Sequence, residues 1–357
     1  MDKAIKVNEI KQLINAVVSD PNNSENYLNL ANAYLKNLEY DLAINVYESL
    51  LNFEPTNYIA LTNLGSLYYC KNDFLMAINY YSRAIELGID NMSVFFNLGN
   101  AYAEIGEFKQ AMSNYVKALN IDKNNYIIPS AIAMLYQDNN NYDEALRYYE
   151  KALSLCNTLP ENYINIALVL MKKNLYIEAC KYFDSACKLK PDNTRYILYS
   201  ANAYSAAGEY TIANKLFKKV IKIDPKYYQA IVCFAISLYE QNKINLAIEY
   251  YNKAIYLYPN LTNAYTLLGN LYSSIKKYDE AIFYYKKVIE IEPINANAYI
   301  LLGNTYVMLK DLRTAISMYK QAIDIDTDND ELKLIYIEVV QEYINDKIKK
   351  KDDKSAA

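Results

Sequence analysis

Two stretches decide the fold: Tyr278-Asp-Glu-Ala-Ile-Phe-Tyr-Tyr285 and Ala298-Tyr-Ile-Leu-Leu-Gly-Asn-Thr-Tyr306. In the second, Tyr299, Leu302, Gly303 and Tyr306 fall at i, i+3, i+4 and i+7, which is one face of an α-helix. In the first, Tyr278, Ala281 and Tyr285 do the same for another helix. Both patterns recur along the chain at a period of 34 residues. Nine blocks run from Ser24 to Asn329 without an insertion or deletion: 24–57, 58–91, 92–125, 126–159, 160–193, 194–227, 228–261, 262–295 and 296–329.

Three block positions carry the pattern. Position 8 is Ala or Gly in every block, position 20 is always Ala, and position 24 is always Tyr or Phe. Small residues at 8 and 20 let two helix axes approach closely, and the aromatic at 24 fills the space beside them. Gly106 and Gly208, both at position 15, read as the turn between the helices, and proline at position 32 (Pro55, Pro191, Pro225, Pro259, Pro293) closes the second one. One polar residue breaks the rule: Ser200 occupies the apolar position 7, so the sixth block is expected to pack less well. Residues 1–23 read as an N-terminal capping half-repeat, with its helix over about 4–19. Residues 330–346 read as a C-terminal capping helix, and 347–357 as a charged flexible tail.

This pattern resembles the tetratricopeptide repeat, whose signature is W-x2-L-G-x2-Y, then A-x3-F, A and P. The departure is that position 4 never carries Trp. The resemblance implies an all-α fold, a right-handed superhelical α-solenoid of stacked antiparallel helix pairs. It also implies a groove lined by positions 2, 5, 6, 9, 12 and 13 of each first helix. Position 6 is Asn29, Asn63, Asn97 and Asn165 in four blocks, and position 9 is Asn32, Asn100, Asn202, Asn270 and Asn304 in five. Each amide offers a donor and an acceptor, so such rows suit the backbone of an extended peptide. The repeat array of O-linked N-acetylglucosamine transferase is similar in its asparagine ladder at position 6. The other reading is compositional, because the whole chain is rich in Asn, Ile, Lys and Tyr. Tyr69, Phe96, Tyr199 and Tyr239 join the asparagines as candidate anchors for a partner. Position 5 carries no lysine in any block, so the clamp by which related co-chaperones hold a heat-shock-protein carboxylate is not expected here.

Composition narrows the chemistry. The 357 residues include no histidine, which removes imidazole acid–base catalysis, Ser-His-Asp triads and imidazole metal ligands. A formal charge of −4 gives no positive field for nucleic acid. Apolar runs such as Ile166 to Met171 are far short of a membrane span, and no secretory leader is visible. The five cysteines are odd in number with no C-x-x-C pair, and read as reduced, mostly buried thiols. No phosphate-binding glycine loop occurs, and no non-repeat segment is long enough for a catalytic domain. The expectation is therefore a cytoplasmic, non-catalytic protein–protein interaction scaffold without metal, cofactor, nucleic acid or membrane insertion. It would bind an extended or helical segment of a partner in its groove. The alternative is an accessory, substrate-recruiting subunit of a separately encoded enzyme such as a glycosyltransferase. Polar, charged caps argue against end-to-end self-assembly, and a monomer is expected.

Overall fold

In the computed structural model, which describes residues 7–355, twenty α-helices account for the regular structure and no strand occurs among those residues. They group into two units that divide after Leu175. The first contains α1 (Val7–Ser19), α2 (Ser24–Lys36), α3 (Tyr40–Phe53), α4 (Tyr58–Cys70), α5 (Phe74–Glu86), α6 (Met92–Glu104), α7 (Phe108–Ile121), α8 (Ile127–Asp138), α9 (Tyr142–Leu155) and α10 (Pro160–Lys172). The second contains α11 (Tyr176–Leu189), α12 (Thr194–Ala206), α13 (Tyr210–Ile223), α14 (Tyr228–Glu240), α15 (Ile244–Leu257), α16 (Thr262–Ser274), α17 (Tyr278–Ile291), α18 (Ala296–Met308), α19 (Leu312–Ile325) and α20 (Asp330–Ser355). Within each unit neighbours pack as helix pairs, α2 with α3 and α12 with α13 for example, and each pair stacks on the next.

Local chemistry sets where these helices begin. Several first helices of the pairs follow an asparagine at the last block position. Asn57 accepts from the Ala60 N–H at 3.0 Å, Asn91 from Ser93 at 2.8 Å, Asn193 from Tyr196 at 3.1 Å and Asn295 from Ala298 at 3.1 Å. Each bond satisfies one of the amide donors left free at a helix start. Part of the asparagine richness therefore caps helices.

The turn inside each pair is equally regular. Position 15 has positive φ in every block, whether it is Gly106 and Gly208 or Leu38, Asn72, Asn140, Asn174, Asn242, Lys276 and Lys310. The residue after it donates its N–H back five residues, as Asp73 does to the Tyr68 carbonyl at 2.9 Å and Glu209 to Tyr204 at 2.8 Å. This is the left-handed C-terminal stop that reverses the chain into the second helix.

The core runs along each unit. All nine position-20 alanines are buried, as are Leu61, Leu64, Ile132, Ile166, Phe183, Phe217, Phe234 and Leu268. Ser200 does not loosen the sixth block as the sequence suggested. It is buried and donates to Asp184 at 3.0 Å, and the same carboxylate accepts from Tyr204 at 2.6 Å. A satisfied hydrogen bond replaces the missing apolar contact.

Three other expectations change. Helix α20 does not stop at residue 346 but continues to Ser355, because no glycine or proline interrupts it. The C-terminal cap is not wholly polar, since Leu334 and Ile337 are 62% and 55% exposed. Of the cysteines, all free, only Cys180 is buried and Cys70 is exposed. Burial pushes the Cys180 and Cys187 thiols up to about 11. The expected N-terminal helix is seen from Val7, and residues 4–6 lie outside the described residues.

Left-handed backbone costs an L-residue roughly 1–2 kcal/mol, part of which glycine returns through its freer unfolded chain. Leu38 is 70% exposed, so its side chain contributes little packing. Leu38→Gly and Lys310→Gly should each stabilise the fold by about 0.5–1 kcal/mol, read as a higher urea midpoint at unchanged slope. A lowered midpoint in both would refute the turn assignment.

Candidate functional site

The site grows from the aromatic at position 24. Its ring is pressed against the small residue at position 8: a Cβ added at Gly65 would lie 2.7 Å from the Tyr81 ring, and one added at Gly303 would lie 2.6 Å from Tyr319. The second helix thus sends a buried tyrosine past the backbone of the first, and the hydroxyl reaches the first helix beside position 9. There it is met by an amide. Tyr47 donates to Asn32 at 3.1 Å, Tyr115 to Asn100 at 2.7 Å, Tyr285 to Asn270 at 2.8 Å and Tyr319 to Asn304 at 2.6 Å. In the second block Ser66 takes the same place, 2.9 Å from the Tyr81 hydroxyl.

Position 6 of the following repeat completes the clasp. Asn63 donates to the Tyr47 hydroxyl at 3.0 Å, and Asn97 is hydrogen-bonded to Tyr81. Each such tyrosine ties its own repeat to the next one. Where position 9 is Met134, Tyr149 turns to Gln137 instead, at 3.3 Å. Where position 24 is phenylalanine the clasp is absent. Phe183 packs on Tyr199 with ring centres 5.9 Å apart, Phe217 stacks on Phe234 at 5.3 Å, and Asn202 is hydrogen-bonded to Cys233.

Burial raises these hydroxyls, pushing Tyr47 and Tyr285 up to about 12 and Tyr115, Tyr149 and Tyr251 up as well. The carbonyls of Asn32, Asn100, Asn270 and Asn304 are engaged from within by these hydroxyls. What they keep for a ligand is the Nδ2 donor, held in place by the bond on the other side of the amide.

None of the thirteen candidate residues is buried. Asn29, Asn32, Asn270, Asn304 and Tyr239 are exposed, while Asn63, Tyr69, Phe96, Asn97, Asn100, Asn165, Tyr199 and Asn202 are half-buried. In the first unit four of them converge. Tyr69, Phe96 and Asn100 line a cavity of about 340 Å³, and Tyr69, Asn97 and Asn100 line one of about 200 Å³ beside it. In the second unit Tyr199, Asn202, Tyr239, Asn270 and Asn304 are distributed along α12, α14, α16 and α18. Tyr199 there accepts from its own helix, 2.7 Å from Arg195 Nε.

The larger cavity also takes Ala103, Glu104, Ser130, Ala131, Met134 and Asp138, which the asparagine pattern does not single out. Their signal in the sequence is a gap: alanine stands at positions 6 and 12 of adjacent blocks where neighbours carry Asn or Tyr. Among the described residues no cluster of His, Cys, Asp or Glu is placed to hold a metal ion, and no helix is long and apolar enough to cross a membrane.

Comparison with known proteins agrees with this architecture. Family models described as tetratricopeptide repeat match residues 28–91, 93–125, 130–159, 160–193, 196–227, 235–261, 262–295 and 284–317. The chain belongs to the tetratricopeptide repeat family, and the repeats define a protein–protein interaction scaffold in general terms. A solved tetratricopeptide repeat protein from Parabacteroides merdae ATCC 43184 is 17% identical with a TM-score of 0.56, the match covering 70% of this chain and 98% of that one. The C-terminal part of a repeat-containing protein from Cytophaga hutchinsonii is 18% identical with a TM-score of 0.52, covering 76% and 98%. Identities this low establish the likeness of fold alone. No curated protein matches the chain significantly.

Burial of these tyrosine hydroxyls makes stability depend on pH. A hydroxyl whose folded pKa lies above its unfolded value of 10 favours the neutral form in the fold. That contribution is complete below pH 10 and is lost as pH rises from 10 towards 12. The urea midpoint should fall across this window, with ultraviolet absorbance reporting tyrosines that ionise only on unfolding. A midpoint independent of pH over the same range would contradict the burial of these hydroxyls. Tyr115→Phe should by itself cost about 1 kcal/mol, the net worth of one hydrogen bond.

Proposed function

We propose that the protein is a non-catalytic scaffold that holds an extended segment of a partner protein along the first-helix face of its repeats. The observation that carries this reading is the oriented amide at position 9. In Asn32, Asn100, Asn270 and Asn304 the carbonyl is engaged by a buried tyrosine of the same repeat, which fixes the side chain. Fixed donors at this position in four of the nine blocks suit the backbone carbonyls of an extended chain, and holding them beforehand lowers the entropy cost of binding. Aromatic side chains on the same face, Tyr69 and Phe96 foremost, supply apolar anchors. Main-chain recognition of this kind gives affinity with little sequence demand, and the neighbouring cavities add selection.

The test compares the wild-type chain with a variant carrying Asn32→Ala, Asn100→Ala, Asn270→Ala and Asn304→Ala in affinity capture from the source cell's lysate. Circular dichroism confirms that both are folded. A control variant, Lys109→Glu with Arg147→Glu, alters second helices α7 and α9 only. The proposal expects a partner captured by the wild type and the control but lost by the asparagine variant. Capture by the asparagine variant at wild-type yield would place binding elsewhere.

A further inference from the structure

The cavity of about 340 Å³ on the first unit has a chemistry that the asparagine rows do not explain. It opens because Ala103 and Ala131 are small, where Tyr69 and Asn97 stand at the equivalent positions one repeat earlier. Its apolar lining includes Phe96, Met134 and the ring of Tyr69. Its charged residues are both acidic: Glu104 and Asp138 occupy position 13 of successive repeats, and no lysine or arginine lines the cavity. Among the described residues neither carboxylate enters an ion pair. Glu104 accepts one hydrogen bond, from the Tyr69 hydroxyl at 3.2 Å, which leaves most of its acceptor capacity open.

We infer that this cavity receives an arginine side chain of the bound partner segment. The alkyl stem packs on Phe96 and Met134, and the planar guanidinium lies against Tyr69 while its fork of N–H donors bonds to Glu104 and Asp138. Arginine fits better than lysine because two separate carboxylates and a flat aromatic wall match a planar, many-donor cation rather than a point charge. The inference deepens the scaffold reading and rests on it, since the side chain enters only if a segment lies along the first-helix face.

The test uses the full chain and two fluorescein-labelled peptides, Ser-Ala-Ala-Arg-Ala-Ala-Ser and its counterpart with citrulline, a neutral near-isostere, in place of arginine. Binding is read by fluorescence anisotropy at low salt. The arginine peptide should bind roughly tenfold more tightly than the citrulline peptide. That difference should vanish in the Glu104→Gln, Asp138→Asn double variant, which alters two exposed side chains and leaves the core intact. It should also shrink in 1 M NaCl. Ala131→Leu, which fills the cavity, should weaken the arginine peptide and remove its advantage over the citrulline peptide. Equal binding of the two peptides to the wild type, a difference that survives in the double variant, or no binding of the arginine peptide at millimolar concentration would each overturn the inference. The scaffold reading fails separately, if Asn100→Ala leaves binding of the citrulline peptide unchanged.

Discussion

Everything in this protein depends on how closely the two helices of a repeat can approach. Ala or Gly at position 8 and Ala at position 20 remove the side chains that would hold the axes apart, and the ring at position 24 occupies the gap. Close approach serves packing, since dense interiors depend on filling such gaps. It also serves a second purpose. Only because the first helix is so bare at position 8 can a tyrosine rooted in the second helix bring its hydroxyl to the far side, where Asn32, Asn100, Asn270 and Asn304 meet it. Core and candidate site are therefore parts of one arrangement.

That arrangement shares out the asparagines among three tasks. At the last block position they cap helices, at position 9 they accept from the tyrosine, and at position 6 Asn63 and Asn97 tie the next repeat to the same hydroxyl. Repeats that lack the hydroxyl use other contacts, as Phe183 and Phe217 do with aromatic neighbours. A quasi-one-dimensional stack tolerates such exchanges because each repeat answers only to its neighbours. The part-buried pair Ser200–Asp184 and the buried pair Ser205–Ser237 show the same tolerance, each a polar contact matched across a helix interface.

The surface chemistry differs between the repeats for a similar reason. Positions that face the core must stay small or aromatic, whereas position 13 is exposed in every block and is free to vary. Ala103 and Ala131 open a cavity on the first unit, and the exposed Glu104 and Asp138 give it charge. Ion pairs across neighbouring repeats, Lys71 with Asp41 and Lys173 with Asp143, are solvent-exposed and contribute little to stability.

The helices, their pairing and the repeat period are legible in the order of residues alone. A 34-residue spacing of small and aromatic residues is a local signal, readable without knowing which surfaces meet. It also marked the asparagines at positions 6 and 9 as unusual. Only the tertiary structure decided what those amides do, because Asn32 and Tyr47 are fifteen residues apart and meet through the packing of α2 on α3. The same holds for Ser200, which looks like a defect in one dimension and is satisfied by Asp184 in three. It holds too for the cavity beside Glu104, whose walls come from three successive first helices. A one-dimensional pattern records which residues a helix face needs; it does not record which hydrogen bonds and voids arise when faces are pressed together.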